Sequence, residues 1–255
     1  MADLALHPAR IDGALARALL PSSAQSGGRN GHAGDNLNRV FIHRAGWPFV
    51  AVAALANLLA FVWARWAGIC LLPFSLWVLA FFRDPSRSPP PGPGAIVAPA
   101  DGKLLPVVDA VPPPELGLGV APRKKLSIFM SVFDVHVNRV PCDGTVTALA
   151  YRPGKFFNAA FDKASEHNER MSIRIRTEGK RGVAADLGVV QIAGLIARRI
   201  QCSLREGQKV CRGDRFGIIR FGSRLELYLP DGARVVAPEG RRVRAGETVL
   251  AEFPS

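Results

Sequence analysis

The chain has 255 residues and carries 33 Lys and Arg against 21 Asp and Glu, a formal net charge of +12. That length holds one sizeable domain plus an extra segment, and the basic excess calls for an anionic partner, either nucleic acid or the acidic face of a membrane. No helix-turn-helix, zinc-finger or RNP-type pattern is present, and Cys70, Cys142, Cys202 and Cys211 have neither C-x-x-C spacing nor a paired framework, so nucleic-acid binding, a disulfide scaffold and a metal site are set aside.

Residues 1–38 are polar and rich in Gly, Ser and Asn, and read as a loosely attached leader. The apolar block that follows begins too late for an ordinary signal peptide. From Trp47 to Phe82 it is almost uninterrupted, with Arg65 its only charge. One span needs about 20 residues, so the segment 39–83 reads as an anchor of two helices, 47–64 and 66–82, turning near Arg65-Trp66-Ala67-Gly68. Each helix is about 26 Å long, slightly short for a hydrocarbon core of about 30 Å. A pair that crosses and a hairpin that dips into one leaflet both return the chain to its starting side. Arg39 and Arg44 before the block and Arg83 and Arg87 after it place both ends on the cytoplasmic side.

The proline-dense stretch 84–94 resists helix and strand and reads as a semi-rigid linker. From Ala95 onward short strands alternate with turn signals. Pro99-Ala100-Asp101-Gly102 is echoed by Pro141-Cys142-Asp143-Gly144, each an Asp-Gly turn between extended runs. A closer echo has the form E-G-x-x-V-x-x-G-[DE], at 206–214 and again at 239–247. Two such copies build a small β-sandwich of the kind that carries biotin or lipoate. The exposed lysine hairpin of a carrier is missing, so the scaffold serves another purpose. One helix is expected over 159–166, behind an Asn158 cap. The expected fold class is therefore α+β, mainly antiparallel, with a barrel-sandwich-like C-terminal half behind a hydrophobic helical hairpin.

Near the C-terminus, Arg220-Phe221-Gly222-Ser223-Arg224 joins two short apolar strands. Such a Gly-Ser step marks a bend or bulge in many sheets. It also suits self-processing, because a serine hydroxyl held against the preceding carbonyl attacks it and glycine gives least hindrance. The activating base needs a pKa near neutrality. Only His136 and His167 lie beyond the linker, and His136 sits at the end of an apolar strand.

Ala98-Pro99-Ala100-Asp101-Gly102, Phe133-Asp134-Val135-His136-Val137-Asn138-Arg139-Val140-Pro141, Asn168-Glu169-Arg170 and Phe221-Gly222-Ser223-Arg224 occur in one order over residues 83–255. Together they resemble the phosphatidylserine decarboxylase family, in its short, membrane-anchored, pyruvoyl-dependent form. The resemblance implies a catalytic domain over 95–255 that cleaves itself between Gly222 and Ser223. It implies that the large and small chains stay associated and that Ser223 becomes a covalent pyruvoyl group. That group forms a Schiff base with phosphatidylserine and releases phosphatidylethanolamine. It further implies a triad of Asp101, His136 and Ser223. Arg139 stands where longer members carry a second histidine, and is expected to hold the phosphate or carboxylate of the substrate. Asn168 and Arg170 are further substrate-binding candidates. The implied partners are the phospholipid substrate and an anionic membrane surface, with a homodimer also considered. The competing expectations are a non-catalytic, membrane-tethered β-sandwich adaptor and a pyruvoyl decarboxylase of another serine-bearing lipid.

Overall fold

The structure, a computed structural model, describes residues 41–154, 167–178, 184–194, 200–220 and 223–254. The leader, the helix expected over 159–166 and positions 221 and 222 lie outside these residues.

The apolar block forms two antiparallel-packed helices, α1 (Trp47–Trp63) and α2 (Arg65–Phe81). The reversal takes one residue, Ala64, one position before the expected Arg65. Ala64 adopts an extended conformation (φ −153°, ψ 115°), so Arg65 begins the second helix instead of capping the first. Close packing is made possible by Gly68, where any β-carbon would run into the Phe61 ring. Asn57, buried between the helices, donates to the Gly68 carbonyl at 3.2 Å and so satisfies its amide away from water. Val52, Leu55, Leu58, Val62 and Trp63 face outward. The stretch Arg44–Trp63 is long and apolar enough to cross a membrane, whereas α2 is shorter.

Fifteen strands follow among the described residues. The first five are β1 (Ala95–Val97), β2 (Gly102–Leu104), β3 (Val108–Ala110), β4 (Arg123–Met130) and β5 (Val137–Arg139). Next come β6 (Gly144–Arg152), β7 (Arg170–Glu178), β8 (Ala184–Ala193), β9 (Ile200–Cys202) and β10 (Lys209–Val210). The last five are β11 (Arg215–Ile219), β12 (Ser223–Tyr228), β13 (Arg234–Val235), β14 (Arg242–Val243) and β15 (Val249–Glu252). The largest sheet runs β10-β6-β7-β8-β12-β4-β2-β14, with β3 also on β4. Two three-stranded sheets, β1-β15-β13 and β5-β11-β9, complete the architecture. Every described pairing between strands is antiparallel. The fold is α+β and mainly antiparallel, as the strand alternation requires.

The two sequence echoes become two structural copies. In each, a two-residue strand (β10 or β14) is bracketed by glycines in the left-handed region, Gly207 and Gly213 in one, Gly240 and Gly246 in the other. Val210 pairs with Gly144 and Val243 with Gly102, so each repeat docks on its own Asp-Gly turn. Side-chain bonds repeat as well. Glu206 accepts from the Leu149 amide at 3.0 Å and Glu239 from the Val107 amide at 2.8 Å. Asp143 accepts from the Arg212 amide at 2.8 Å, and Asp101 from the Ala245 amide at 2.7 Å.

Residues 84–94 lie against the β domain. Asp84 pairs with Arg139 and Arg215, Arg87 pairs with Asp101 and Glu247, and the Gly92 carbonyl accepts from Arg212. The main core, including Leu126, Ile128, Met130, Val189, Leu225 and Leu227, fills one face of the large sheet. A smaller cluster joins Val78, Phe81 and Phe82 of the hairpin end to Val135, Val137 and Ile218 of the domain.

Candidate active site

Ser223 is the first residue of β12, which lies between β8 and β4 in the middle of the large sheet. It stands directly opposite Met130 on one side and Ala193 on the other. Alternation sends Ser223, Leu225 and Leu227 to one face and Arg224, Glu226 and Tyr228 to the other. All six are buried. The second face carries an ionic network. Arg224 Nη2 reaches Glu226 at 2.7 Å, Lys125 lies 3.6 Å from Glu226, and the Tyr228 hydroxyl donates to it at 3.0 Å. Burial, followed by the Glu226 charge, pushes the Tyr228 phenol up and keeps it a donor. This network holds β12 flat on its neighbours directly behind Ser223.

The face bearing Ser223 also carries Leu225, Leu227 and, opposite Leu225 on β8, Gln191, and the Ser223 hydroxyl is fully buried with no hydrogen-bond partner among the described residues. His136 shares this condition. Its Nδ1 lies 2.9 Å from the Asp134 carbonyl oxygen, so Nδ1 carries the proton and donates, which leaves Nε2 the unprotonated lone pair. Nε2 is buried and has no partner among the described residues. Desolvation draws the His136 pKa down to about 4, against the opposing pull of the Asp134 carbonyl and carboxylate. A buried polar atom left unpaired costs about 1–3 kcal/mol, and native folds retain few of them. Two such atoms, a nucleophile and a base, mark this region as chemistry rather than packing.

Polar residues that the motifs did not single out as chemical also lie beside β12. Asn138, two residues beyond His136, accepts at Oδ1 from Gln191 Nε2 at 2.8 Å and points its own amide at the Met130 sulfur at 3.8 Å. Gln191 stands two residues before Ala193, and Met130 and Ala193 are the two neighbours of Ser223. All three of Asn138, Gln191 and Met130 are inaccessible to solvent. The only forewarning of Gln191 is a lone amide in an apolar strand.

The remaining expected site residues are placed as follows. Asn168 is buried and donates to the Ala193 carbonyl at 2.7 Å, so it braces the strand beside Ser223. Arg170 begins β7 and donates to Glu115 at 2.6 Å. Arg139 is buried, with its guanidinium on the Gly213 carbonyl (2.8 Å), the Pro85 carbonyl (2.8 Å) and Asp84 (3.2 Å). Burial and the neighbouring Arg215 draw its pKa down to about 10, with Asp84 opposing. One oxygen of Asp101 accepts from Arg87 at 2.7 Å and the other from the Ala245 amide. Its pKa is raised by burial, which outweighs those two bonds. No hydrogen bond joins Asp101 to His136 among the described residues, and the carbonyl of Asp134 orients the imidazole instead. Gly222 lies outside the described residues.

The family model of phosphatidylserine decarboxylase matches residues 74–251. The chain belongs to the phosphatidylserine decarboxylase family. A phosphatidylserine decarboxylase proenzyme of Granulibacter bethesdensis is 54% identical over 214 residues, 83% of this chain and 85% of the relative. Proenzymes of the same name from Paramagnetospirillum magneticum and Cereibacter sphaeroides are 51% and 52% identical, each over 84% of this chain and over 88% and 90% of the relatives. The decarboxylase family match begins inside α2, so the end of the hairpin that packs on His136 falls within it. His136 and Ser223 fall within it as well.

Proposed function

We propose that this chain is a proenzyme that cuts itself between Gly222 and Ser223 and then decarboxylates phosphatidylserine to phosphatidylethanolamine at a membrane surface. The observation that carries the reading is the buried hydroxyl of Ser223 at the head of the central strand, which has no hydrogen-bond partner among the described residues, together with the likewise buried and unpartnered Nε2 of His136. In the self-cleavage, Ser223 Oγ loses its proton to His136 Nε2 and attacks the Gly222 carbonyl carbon. The C–O bond forms as the peptide C–N bond breaks, and the amine leaves protonated. Loss of the Ser223 α-proton then expels the Gly222 carboxylate, leaving a dehydroalanine. Its imine tautomer takes up water and releases ammonia, so atoms and electrons balance with water as the sole co-reactant. A pyruvoyl group at residue 223 supplies a carbonyl that captures the substrate amine and withdraws the electron pair left by departing carbon dioxide. Residue 223 fits it, because the site is dry and braced by Asn168 and the Asn138–Gln191 pair.

In this reading 95–255 is the catalytic domain and 39–83 its anchor, with both ends of the anchor on the cytoplasmic side. Anionic lipid contributes on the order of 1 kcal/mol per basic residue near the surface, which suits the +12 chain. His136 is the base, and Asn168 positions the strand beside the nucleophile. Arg139, Arg170 and Asp101 are assigned to holding the fold, because their polar groups already have protein partners. The test is the mass of the purified protein. The expected result is a 33-residue chain, 223–255, with a blocked N-terminus, together with carbon dioxide release from phosphatidylserine vesicles, both lost in Ser223→Ala. An intact chain after prolonged incubation favours the adaptor alternative, and cleavage without activity on phosphatidylserine favours another serine-bearing lipid.

A further inference from the structure

A tether needs no contact with the chemistry it carries, yet the hairpin touches both halves of the self-cleavage site. Phe81, the last residue of α2, lies with its ring centroid 4.2 Å from that of His136, the planes inclined by 31°. Val135 and Val137, on either side of His136, belong to the same buried cluster as Phe81, Phe82 and Val78. The second contact reaches the segment leading into the cut. The Arg220 guanidinium lies 5.1 Å from the centroid of the Phe49 ring of α1, and Phe49 stacks on Phe82 at 5.3 Å and 21°. Ile218, two residues before Arg220, is a member of that cluster too.

We propose that the membrane hairpin is a working part of the self-cleavage site, in which Phe81 is a positioning residue that walls His136 off from water while Phe49 seats Arg220, at the end of the strand that precedes the cut. The inference rests on the self-cleavage reading above. Phe81 is invisible as a functional residue in an apolar run, because the same residue type there also serves lipid contact.

The consequence is a pH signature. The charged groups bearing on His136 are Asp134, which favours its protonation, and Arg83, which opposes it. Asp134 is itself paired with Arg242 at 3.0 Å, Arg220 faces the same cluster from the domain side, and α2 contributes no charge at the contact. The dominant influence on His136 is burial, which lowers its pKa to about 4. A base works when unprotonated, so cleavage in the wild type is expected to fall only below that value. Removing the Phe81 ring admits water and lets the pKa climb toward the ordinary value of about 6.5. At about pH 5.5 the unprotonated fraction then drops roughly tenfold, while at about pH 8 it is unchanged.

The test uses the full-length chain, synthesised cell-free into phosphatidylglycerol nanodiscs in a labelled pulse and moved through a pH series while the two fragments are resolved on gels. Phe81→Leu is expected to cleave about tenfold more slowly than wild type at about pH 5.5 and at the wild-type rate at about pH 8. Phe81→Trp, which keeps an aromatic wall, is expected to restore the acid limb. Phe49→Leu, acting on Arg220, is expected to slow cleavage at every pH without moving that limb. In a separate arm, isotope-labelled histidine in the Ser223→Ala chain reports the His136 titration by NMR whether or not cleavage occurs, and Phe81→Leu is expected to raise it. A Phe81→Leu chain whose titration and acid limb match wild type overturns the role given to Phe81. A uniform slowing at all pH values, with an unmoved titration, overturns it equally. A wild-type chain that never cleaves while His136 titrates as described overturns the self-cleavage reading instead, and with it the hairpin's part in that reaction.

Discussion

Asp84 is where the hairpin hands the chain to the β domain, and replacing it by Asn tests whether Arg139 is a staple or a substrate ligand. The Asp84 residue is only 3% exposed, and its carboxylate lies 3.2 Å from Arg139 Nη2 and 2.6 Å from Arg215 Nε. Asn keeps the shape and removes the one carboxylate in direct ion pairing, among the described residues, with a buried guanidinium whose pKa burial and Arg215 already depress. Breaking a buried pair from one side costs about 3–5 kcal/mol, because the other charge stays buried and uncompensated. For a domain of this size each kcal/mol is worth about 2–4 °C in Tm, so Asp84→Asn is expected to lower Tm by roughly 6–20 °C. Arg139→Met is expected to lower it as well, and the double variant by less than the sum, with a coupling of at least about 1 kcal/mol. Thermal unfolding of the Ser223→Ala background in detergent keeps maturation out of the comparison. If Arg139→Met leaves Tm within about 2 °C of the parent and, in the cleaving protein, raises only KM for lipid, the guanidinium meets substrate and the staple is wrong.

The twin turns separate structure from catalysis at Asp101. Asp101→Asn and Asp143→Asn are expected to destabilise alike and both to leave cleavage at Ser223 in place; loss of cleavage in Asp101→Asn alone, at equal Tm, restores the triad. Gly102→Ala drives a β-carbon into the Phe129 carbonyl oxygen, and Gly144→Ala does the same at Arg176. Each is expected to cost more than about 1 kcal/mol by thermal unfolding, and a neutral result at either glycine argues against the close strand approach. Glu115 is pushed up by partial burial, but its bond and charge pairing with Arg170 outweigh this and bring its pKa below the ordinary 4.5. Its contribution is therefore full above the unfolded-chain value and lost as pH falls through the lower folded one. Denaturation measured down an acid series should flatten in Glu115→Gln, and an identical acid slope would rule the pair out as a source of acid sensitivity.

The elements legible beforehand were those whose signal is local. An unbroken apolar run leaves little choice but helices, and the repeated E-G-x-x-V-x-x-G frame prescribes turns whose glycines, Gly207, Gly213, Gly240 and Gly246, do adopt positive φ, whereas Gly144 of the second Asp-Gly step does not. Ser223 and His136 stood out because a nucleophile and a neutral-range base are rare in apolar strands. What stayed hidden depends on pairing between distant segments. Nothing local in 188–193 or 125–130 announces that both flank β12, so the roles of Gln191 and Met130 beside Ser223 follow only from register. Asp101 was ambiguous for a related reason. An aspartate before a glycine is equally a turn-former and a triad member, and only its partners, Arg87 and Ala245, decide how its oxygens are spent. The proline-rich segment likewise carries no hint in its composition of the ion pairs that strap it to the domain.

The position of the proposed cut would let the protein sever its own backbone here and keep its shape. The fragment beginning at Ser223 contains β12, which is in register with β4 on one side and β8 on the other along all six of its residues. It also contains β14, held on β2, and β15, held on β1. Leu225, Leu227 and Leu229 are fully buried, each worth about 1.5–3 kcal/mol of apolar burial. Each of these pairings joins the fragment to strands that precede the proposed cut, so cleavage would remove a covalent connection and leave the interface. The two chains are then expected to co-elute in detergent without denaturant and to unfold in one transition, with a Tm that rises with protein concentration as mass action requires of a two-chain fold. Release of the small chain under native conditions would mean that β12 does not lie between β4 and β8, and the placement of Ser223 would fall with it.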